Sequence, residues 1–289
     1  MTRADAYPTL ATSLEHEMTA VRLIGCVLVS CALARSARSE GTGNAAPDPA
    51  VADASALAEA YFDEAERFDG FLTYEVRRGP ASATFTIARR WRDGLAELVF
   101  DIREPEAFSK WALLLRENRG GSDDLFAYID KTGTVFDRGV RRLAASQLER
   151  HAFFDLLAIG DYRPTPRGEL VYQAAPDERL DGVPCRVVTA TAPKSYFGFD
   201  RIELAFAADT GLLLETRLIQ GGREVRRLTS APGDFKDVGG RRLPFRRVAH
   251  GWADDGETEI VLLRVVETPD LPDGLFSELN LRVQHFPEF

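Results

Sequence analysis

The 289 residues include only three cysteines and four histidines, few of the side chains used for cross-links and soft-metal sites. Cys26 and Cys31 share one N-terminal apolar run, so Cys185 stands alone in the body of the chain and a disulfide framework is excluded. Inside the apolar run 183–188, Cys185 reads as a small buried hydrophobe rather than a nucleophile. His16, His151, His250 and His285 lie far apart, and none has another His or Cys at ligand spacing, so no metal site is indicated. The G-x-S-x-G, G-x-x-x-x-G-K-[ST] and G-x-G-x-x-G patterns are also missing. No cofactor is expected. Basic charge is outweighed, with 36 Lys and Arg against 45 Asp and Glu and a net charge of −9, which leaves no electrostatic footprint for nucleic acid.

Long apolar runs are scarce too. The main one free of acidic residues is 23–34 (LIGCVLVSCALA), flanked by Arg22 and Arg35. It falls short of the roughly 20 residues of a membrane span but suits the core of a secretory signal. Met18 is the natural start of such a signal, because residues 1–17 carry Glu15 and Glu17 where basic charge belongs. Two processing outcomes are open. Leu28-Val29-Ser30-Cys31 fits a bacterial lipoprotein box with Cys31 as the lipidated residue, while Ala32-Leu33-Ala34 fits ordinary cleavage. Residues 35–52 have the small, polar, proline-containing composition of a tether. The expected division is thus an upstream extension 1–17, a signal 18–34, a linker 35–52 and a folded domain 53–289.

Within that domain, residues 53–68 place Leu57, Tyr61, Ala65 and Phe68 at helical spacing. From Gly70 onward the apolar period changes to two, with turn signals such as Asp93-Gly94, Asp181-Gly182 and Gly221-Gly222 between the runs. Ten to twelve antiparallel strands follow, most simply as a meander, with short helices near 151–159 and 275–281. Residues 117–149 read as irregular and charged, and 242–250 as one strand.

The alternation assigns faces. Phe85, Ile87 and Trp91 share one side of their strand, as do Leu98 and Phe100, Ile202, Leu204 and Phe206, and Leu243 and Phe245 on theirs; Trp111 and Leu113 continue the set. One sheet face is expected to be apolar and the other wet. Three short helices would cover only part of the apolar face, which leaves either a trough or a sheet folded on itself around an ordinary core. The arginine-dense stretch Arg223, Arg226, Arg227, Arg241, Arg242, Arg246 and Arg247 reads as a salt-bridged exterior or as a patch for an acidic partner. Arg89 or Arg90 is placed mid-strand to tie a covering helix, against a plain surface role.

The order of certain segments resembles the bacterial outer-membrane lipoprotein-sorting proteins, the LolA-like superfamily. They are Asp161-Tyr162, then 180–188 (LDGVPCRVV), Arg201-Ile202-Glu203-Leu204, Asp209-Thr210-Gly211-Leu212, 235–244 (FKDVGGRRLP) and 271–277 (LPDGLFS). The resemblance spans about 53–281 and implies a mainly β (α+β) fold. That fold is a single large antiparallel unclosed β-barrel, or half-barrel, with short helices over its concave apolar face. It implies no catalysis, and partners that are acyl chains of a lipid or lipoprotein together with membrane-bound donor and acceptor proteins. The cavity would be lined by Phe85, Ile87, Trp91, Leu98, Phe100, Trp111, Leu113, Ile202, Leu204, Phe206, Leu243 and Phe245. Leu57, Tyr61, Phe68, Phe153 and Leu157 would form the lids. Three other roles stay open: a sensory module on the same scaffold, an envelope enzyme whose acid, base or nucleophile is not visible, and a structural lipoprotein with a filled core.

Overall fold

A computed structural model describes residues 49–106, 111–118, 123–129, 139–143, 159–162, 170–191, 199–251 and 256–283. Cys31, Phe153 and Leu157 lie outside them. The first described element is helix α1 (Pro49–Ala65), which begins inside the expected linker. Its buried stripe is Ala54, Ala58, Phe62 and Ala65, whose small alanines let the backbone approach the sheet, and Leu57 and Tyr61 flank that stripe half-buried. Phe68 lies beyond the helix end and is buried.

Among the described residues fifteen strands follow. They are β1 (Gly70–Arg78), β2 (Ala81–Arg92), β3 (Leu95–Glu104), β4 (Trp111–Arg116), β5 (Asp124–Ile129), β6 (Val140–Leu143), β7 (Val171–Leu180) and β8 (Val183–Thr191). The rest are β9 (Arg201–Ala207), β10 (Leu213–Gln220), β11 (Arg223–Thr229), β12 (Phe235–Val238), β13 (Arg241–Pro244), β14 (Arg246–Gly251) and β15 (Thr258–Glu267). Asp93 and Gly94 both take positive φ (52° and 77°), as do Asp181 and Gly182 (47° and 85°). These are the two-residue turns whose twist matches the flanking strands.

Thirteen strands form one antiparallel sheet in the order β6-β5-β4-β3-β2-β1-β15-β14-β11-β10-β9-β8-β7, and β12 and β13 form a separate hairpin. The sheet is not closed into a barrel, its two edges being β6 and β7. It differs from a plain meander. The chain runs outward from β1 to the edge at β6, crosses to the opposite edge at β7, and returns until β15 pairs with β1. The crossover has a described turn, Ile159–Asp161 followed by Tyr162, whose Ile159 and Tyr162 side chains pack on the inner face.

The expectation of one wet face is corrected. On the outer side Phe71, Ala88, Val99, Ala112 and Leu114 are buried beneath Leu271, Leu275, Phe276 and Leu281 of the C-terminal segment, which includes helix α2 (Glu278–Val283). Farther along, Cys185, Val187, Ala205, Ala207 and Leu214 are buried with Phe235 of the β12–β13 hairpin. The single strand expected over 242–250 is also corrected. It breaks at Phe245, whose N–H donates to Asp234 O (2.8 Å) and whose carbonyl accepts from Leu262 N–H (2.9 Å).

Candidate functional site

The inner face is built from alternate residues of paired strands. Phe85 and Ile87 of β2 lie beside Leu98 and Phe100 of β3 and Leu113 of β4, in one cluster with Leu72 and Tyr74 of β1, Leu262 of β15 and Leu243 of β13. Trp111 and Phe245, half-buried, pack against this cluster. Ile202, Leu204 and Phe206 of β9 form a second cluster with Tyr172, Val188 and the α1 residues Ala58 and Phe62. Tyr61 packs against both clusters, its ring 5.6 Å from that of Phe206, so α1 bridges them. Leu57 packs on the second cluster only.

Trp91 has a different task from its alternation partners. Its indole N–H donates to Glu66 O (3.1 Å) and its backbone N–H to Asp69 Oδ1 (2.8 Å), which ties the end of α1 to β2. Phe68, just past that end, lies under the Arg89 guanidinium at 4.2 Å from the ring centroid. Arg90 points to the other face.

The inner face is covered, not open to water: Phe85, Leu98, Phe100, Leu113 and Leu204 are each no more than 1% exposed. Tyr162 of the crossover turn is central to the cover. Its ring stands 5.0 Å from that of Tyr74 and 5.1 Å from that of Phe85, edge to face in both cases. Its hydroxyl is buried with no hydrogen-bond partner among the described residues. Burial, reinforced by the Asp161 carboxylate, pushes the Tyr162 phenol well above its ordinary pKa, and burial likewise raises Tyr61 and Tyr74.

Two arginines hold the turn in place. Arg226 of β11 donates Nε (3.1 Å) and Nη2 to the two carboxylate oxygens of Asp161, both side chains being buried, and Nη1 to Gly251 O (3.3 Å). Arg247 of β14 donates Nη1 to Asp161 O (3.1 Å) and lies 5.7 Å from the centroid of the Tyr162 ring. Burial alone would lower the Arg247 pKa, but Tyr74, Tyr162 and Asp161 more than offset it and the net direction is upward.

Asp161, Tyr162, Arg226 and Arg247 are not legible from the sequence as a set. The usable signal was the parity of β11 and β14. Arg226 shares a face with Leu228, and Arg247 with Ala249, and both of those neighbours are core. Of the other five arginines in the dense stretch, three form surface ion pairs, Arg227 with Glu224, Arg246 with Glu259 and Arg241 with Glu267.

Among the described residues no group of three His, Cys, Asp or Glu side chains is placed to hold a metal ion, and no helix is long and apolar enough to cross a membrane. What the arrangement offers is non-polar contact: an apolar sheet face beneath a helix and a turn, with a few fixed cations at its margin.

No curated protein matches the sequence. Several solved structures share the fold. A DUF1329 family protein from Desulfovibrio piger superposes with a TM-score of 0.69 at 18% identity, covering 80% of this chain and 99% of its own. A domain named for outer membrane lipoprotein sorting, from Vibrio parahaemolyticus, gives 0.68 at 15% identity with 80% and 99% covered. A LolA superfamily protein from Nitrosomonas europaea gives 0.60 at 15% identity with 78% and 97% covered. A family model described as that of an uncharacterized protein matches residues 95–283, from β3 through α2. The chain belongs to that family, and its fold is that of the LolA-like superfamily.

Proposed function

We propose that this is an exported lipid carrier of the bacterial envelope that shelters acyl chains on the inner face of its sheet and performs no chemistry on them. The observation that carries the reading is the cover. A full second sheet would close the apolar face permanently, whereas among the described residues a helix, one turn and the small β12–β13 hairpin lie on it, and the turn inserts a tyrosine whose buried hydroxyl lacks a partner among the described residues. An acyl chain would take the place of Ile159 and Tyr162 and lie along Phe85, Ile87, Leu98, Phe100 and Leu113. Ile202, Leu204, Phe206 and α1 would offer a second berth.

Magnitudes support a reversible exchange. A 16-carbon chain is ~20 Å long, about six strand residues, and its transfer from water to an apolar face is worth of order ~12 kcal/mol in gross terms. Withdrawing Ile159 and Tyr162 forfeits roughly 1.5–3 kcal/mol for each side chain. Separating the Arg226–Asp161 pair costs at most about 3–5 kcal/mol, and less once both groups reach water. The difference is a few kcal/mol in favour of the loaded state, small enough for release to an acceptor.

Export and anchoring through a lipidated Cys31 belong to the same reading, as do membrane-bound donor and acceptor proteins. Native mass spectrometry after mild extraction from the envelope tests the carrier role. Bound acyl lipid is expected. An empty protein that also fails to bind a fluorescent fatty acid would overturn the reading in favour of a structural envelope protein with a permanently filled core, which the near-complete burial of the inner face favours.

A further inference from the structure

Three arginines of this chain present the same two donors, Nε and Nη2, to a carboxylate. Arg226 gives them to Asp161, Arg227 gives them to Glu224 (2.9 and 2.8 Å), and Arg77 gives them to Glu75, with Nε at 2.8 Å. That edge of the guanidinium matches the spacing of two oxygens on a carboxylate or phosphate. Arg89 has the same edge bare. It is 6% exposed, and neither Nε nor Nη2 meets an acceptor among the described residues. One flat side of its guanidinium rests on Phe68.

The surroundings do not discharge it. Arg241, 5.4 Å from the centroid of the same Phe68 ring, adds a second cation, itself paired with Glu267 at 3.2 Å. Burial pulls the Arg89 pKa below its usual value while Tyr74, Glu66 and Asp69 act to raise it, and an arginine keeps its charge through such shifts. A buried cation without a bidentate partner is costly, and an incoming anion would relieve that cost.

We propose that the Nε and Nη2 edge of Arg89 receives the anionic end of an amphiphile, a carboxylate or a phosphate, while the acyl chain runs from there along the inner face. The assignment rests on the carrier reading above and narrows its cargo. Arg89 shares the inner side of β2 with Ile87, Phe85 and Ala83 and stands opposite Leu98. From Arg89 to Ala83 the strand rises ~20 Å, the length of a 16-carbon chain. Head and tail therefore have adjoining places. An acylated cysteine carries no anion where its chains meet, so the geometry selects fatty acids and phospholipids among acyl cargoes.

Displacement of a fluorescent fatty acid from the delipidated protein tests this, with hexadecanoate, its methyl ester, hexadecyl phosphate and inorganic phosphate as competitors. Hexadecanoate and hexadecyl phosphate should bind about ten-fold or more tighter than the ester, as one charge-assisted bidentate contact requires. Arg89→Met should reduce that preference to about two-fold or less while leaving ester affinity in place, and Arg89→Lys, which keeps the charge and loses the fork, should fall between. Equal affinity for acid and ester in the wild-type protein, or an unchanged preference in Arg89→Met, overturns the assignment and leaves the carrier reading standing. Failure of acid and ester alike overturns the carrier reading instead. Protection by inorganic phosphate as strong as that by hexadecyl phosphate would mean a free-anion site and would end the amphiphile assignment.

Discussion

Arg89 and Arg90 are consecutive residues of β2, both buried, and they lie on opposite sides of the sheet. Arg90 reaches the outer face, where it pairs with Glu97, donates Nη1 to Asp273 (2.7 Å) and Leu271 O (3.4 Å), and covers the Phe276 ring at 4.1 Å. It fastens the C-terminal segment to the strands. Arg89 meets no acceptor through its Nε and Nη2 edge among the described residues. Opposite stability effects follow. Arg90→Met should destabilise the protein by about 3 kcal/mol, because Glu97 and Asp273 lose their most buried cation and keep only the more exposed Arg116 and Arg92, whereas Arg89→Met should be neutral or stabilising by about 1–4 kcal/mol. Urea unfolding of the lipid-free proteins measures both. Equal destabilisation by the two substitutions would contradict the distinction between them.

Tyr162→Phe isolates the hydroxyl from the ring. The ring contacts with Tyr74 and Phe85 persist in the variant, while a buried polar group without a partner among the described residues is removed. Leaving such a group unsatisfied costs about 1–3 kcal/mol, so the variant should be more stable by about 1 kcal/mol, with an unchanged dependence on denaturant. On the carrier reading it should also load more slowly, since its cover is better seated. A loss of stability would show that the hydroxyl has a partner after all.

Much of this architecture is legible in the residues. The period-two runs of β2, β3 and β9 identify strands and faces together, since their inner apolar residues are core. The helix over 53–68 is visible for the same reason, although its buried stripe is offset toward Ala54, Ala58 and Phe62 because small residues allow close approach and periodicity alone favours the bulky ones. The covered outer face had a sign of its own: Ala112-Leu113-Leu114-Leu115 is uninterrupted, as expected of a strand buried on both sides. The break at Phe245 leaves no such sign, because inner-face parity runs from Leu243 through Phe245 to Ala249 without interruption. β6 escapes because Val140-Arg141-Arg142-Leu143 is a short charged edge strand, and such edges resist further pairing. The insertion of Tyr162 is tertiary. Nothing local in the sequence says where a crossover turn will put its ring.

Asp101 supplies a pH dependence unrelated to cargo. It is buried on β3, and burial raises its pKa to about 6 despite Arg103 at 2.6 Å, which acts to lower it. An acid with a higher pKa folded than unfolded binds its proton more tightly in the native state. Its contribution to stability is complete below the unfolded value and is lost as pH rises through about 6. Stability should therefore fall between roughly pH 4 and 6 by an amount of order 1–3 kcal/mol from this group. Asp101→Asn should remove that decline and be the more stable protein at pH 7, as chemical unfolding at a series of pH values will show. Parallel curves for the two proteins would exclude Asp101 as its source.

The Arg226–Asp161 pair is where stability and loading meet. Two oxygens of Asp161 take two donors of Arg226 inside the core, and the Arg226 side chain reaches Gly251 O as well. Gly251 itself is constrained: its φ is +89°, and an added Cβ would lie 2.5 Å from Val225 O, so Gly251→Ala should disturb the pair from behind. Asp161→Asn leaves the guanidinium buried opposite a neutral amide and should cost about 3–5 kcal/mol, and Arg226→Met should cost a similar amount by stranding the carboxylate. The double variant should cost much less than the sum, because neither charge then remains, and the shortfall in a double-mutant cycle measures the coupling. If the pair merely braces a filled core, the double variant will bind no lipid, as a filled core predicts for the parent. If it latches a cover over a usable face, the double variant will load a fluorescent fatty acid faster than the parent while its final affinity rises, because the bound state no longer has to break the pair.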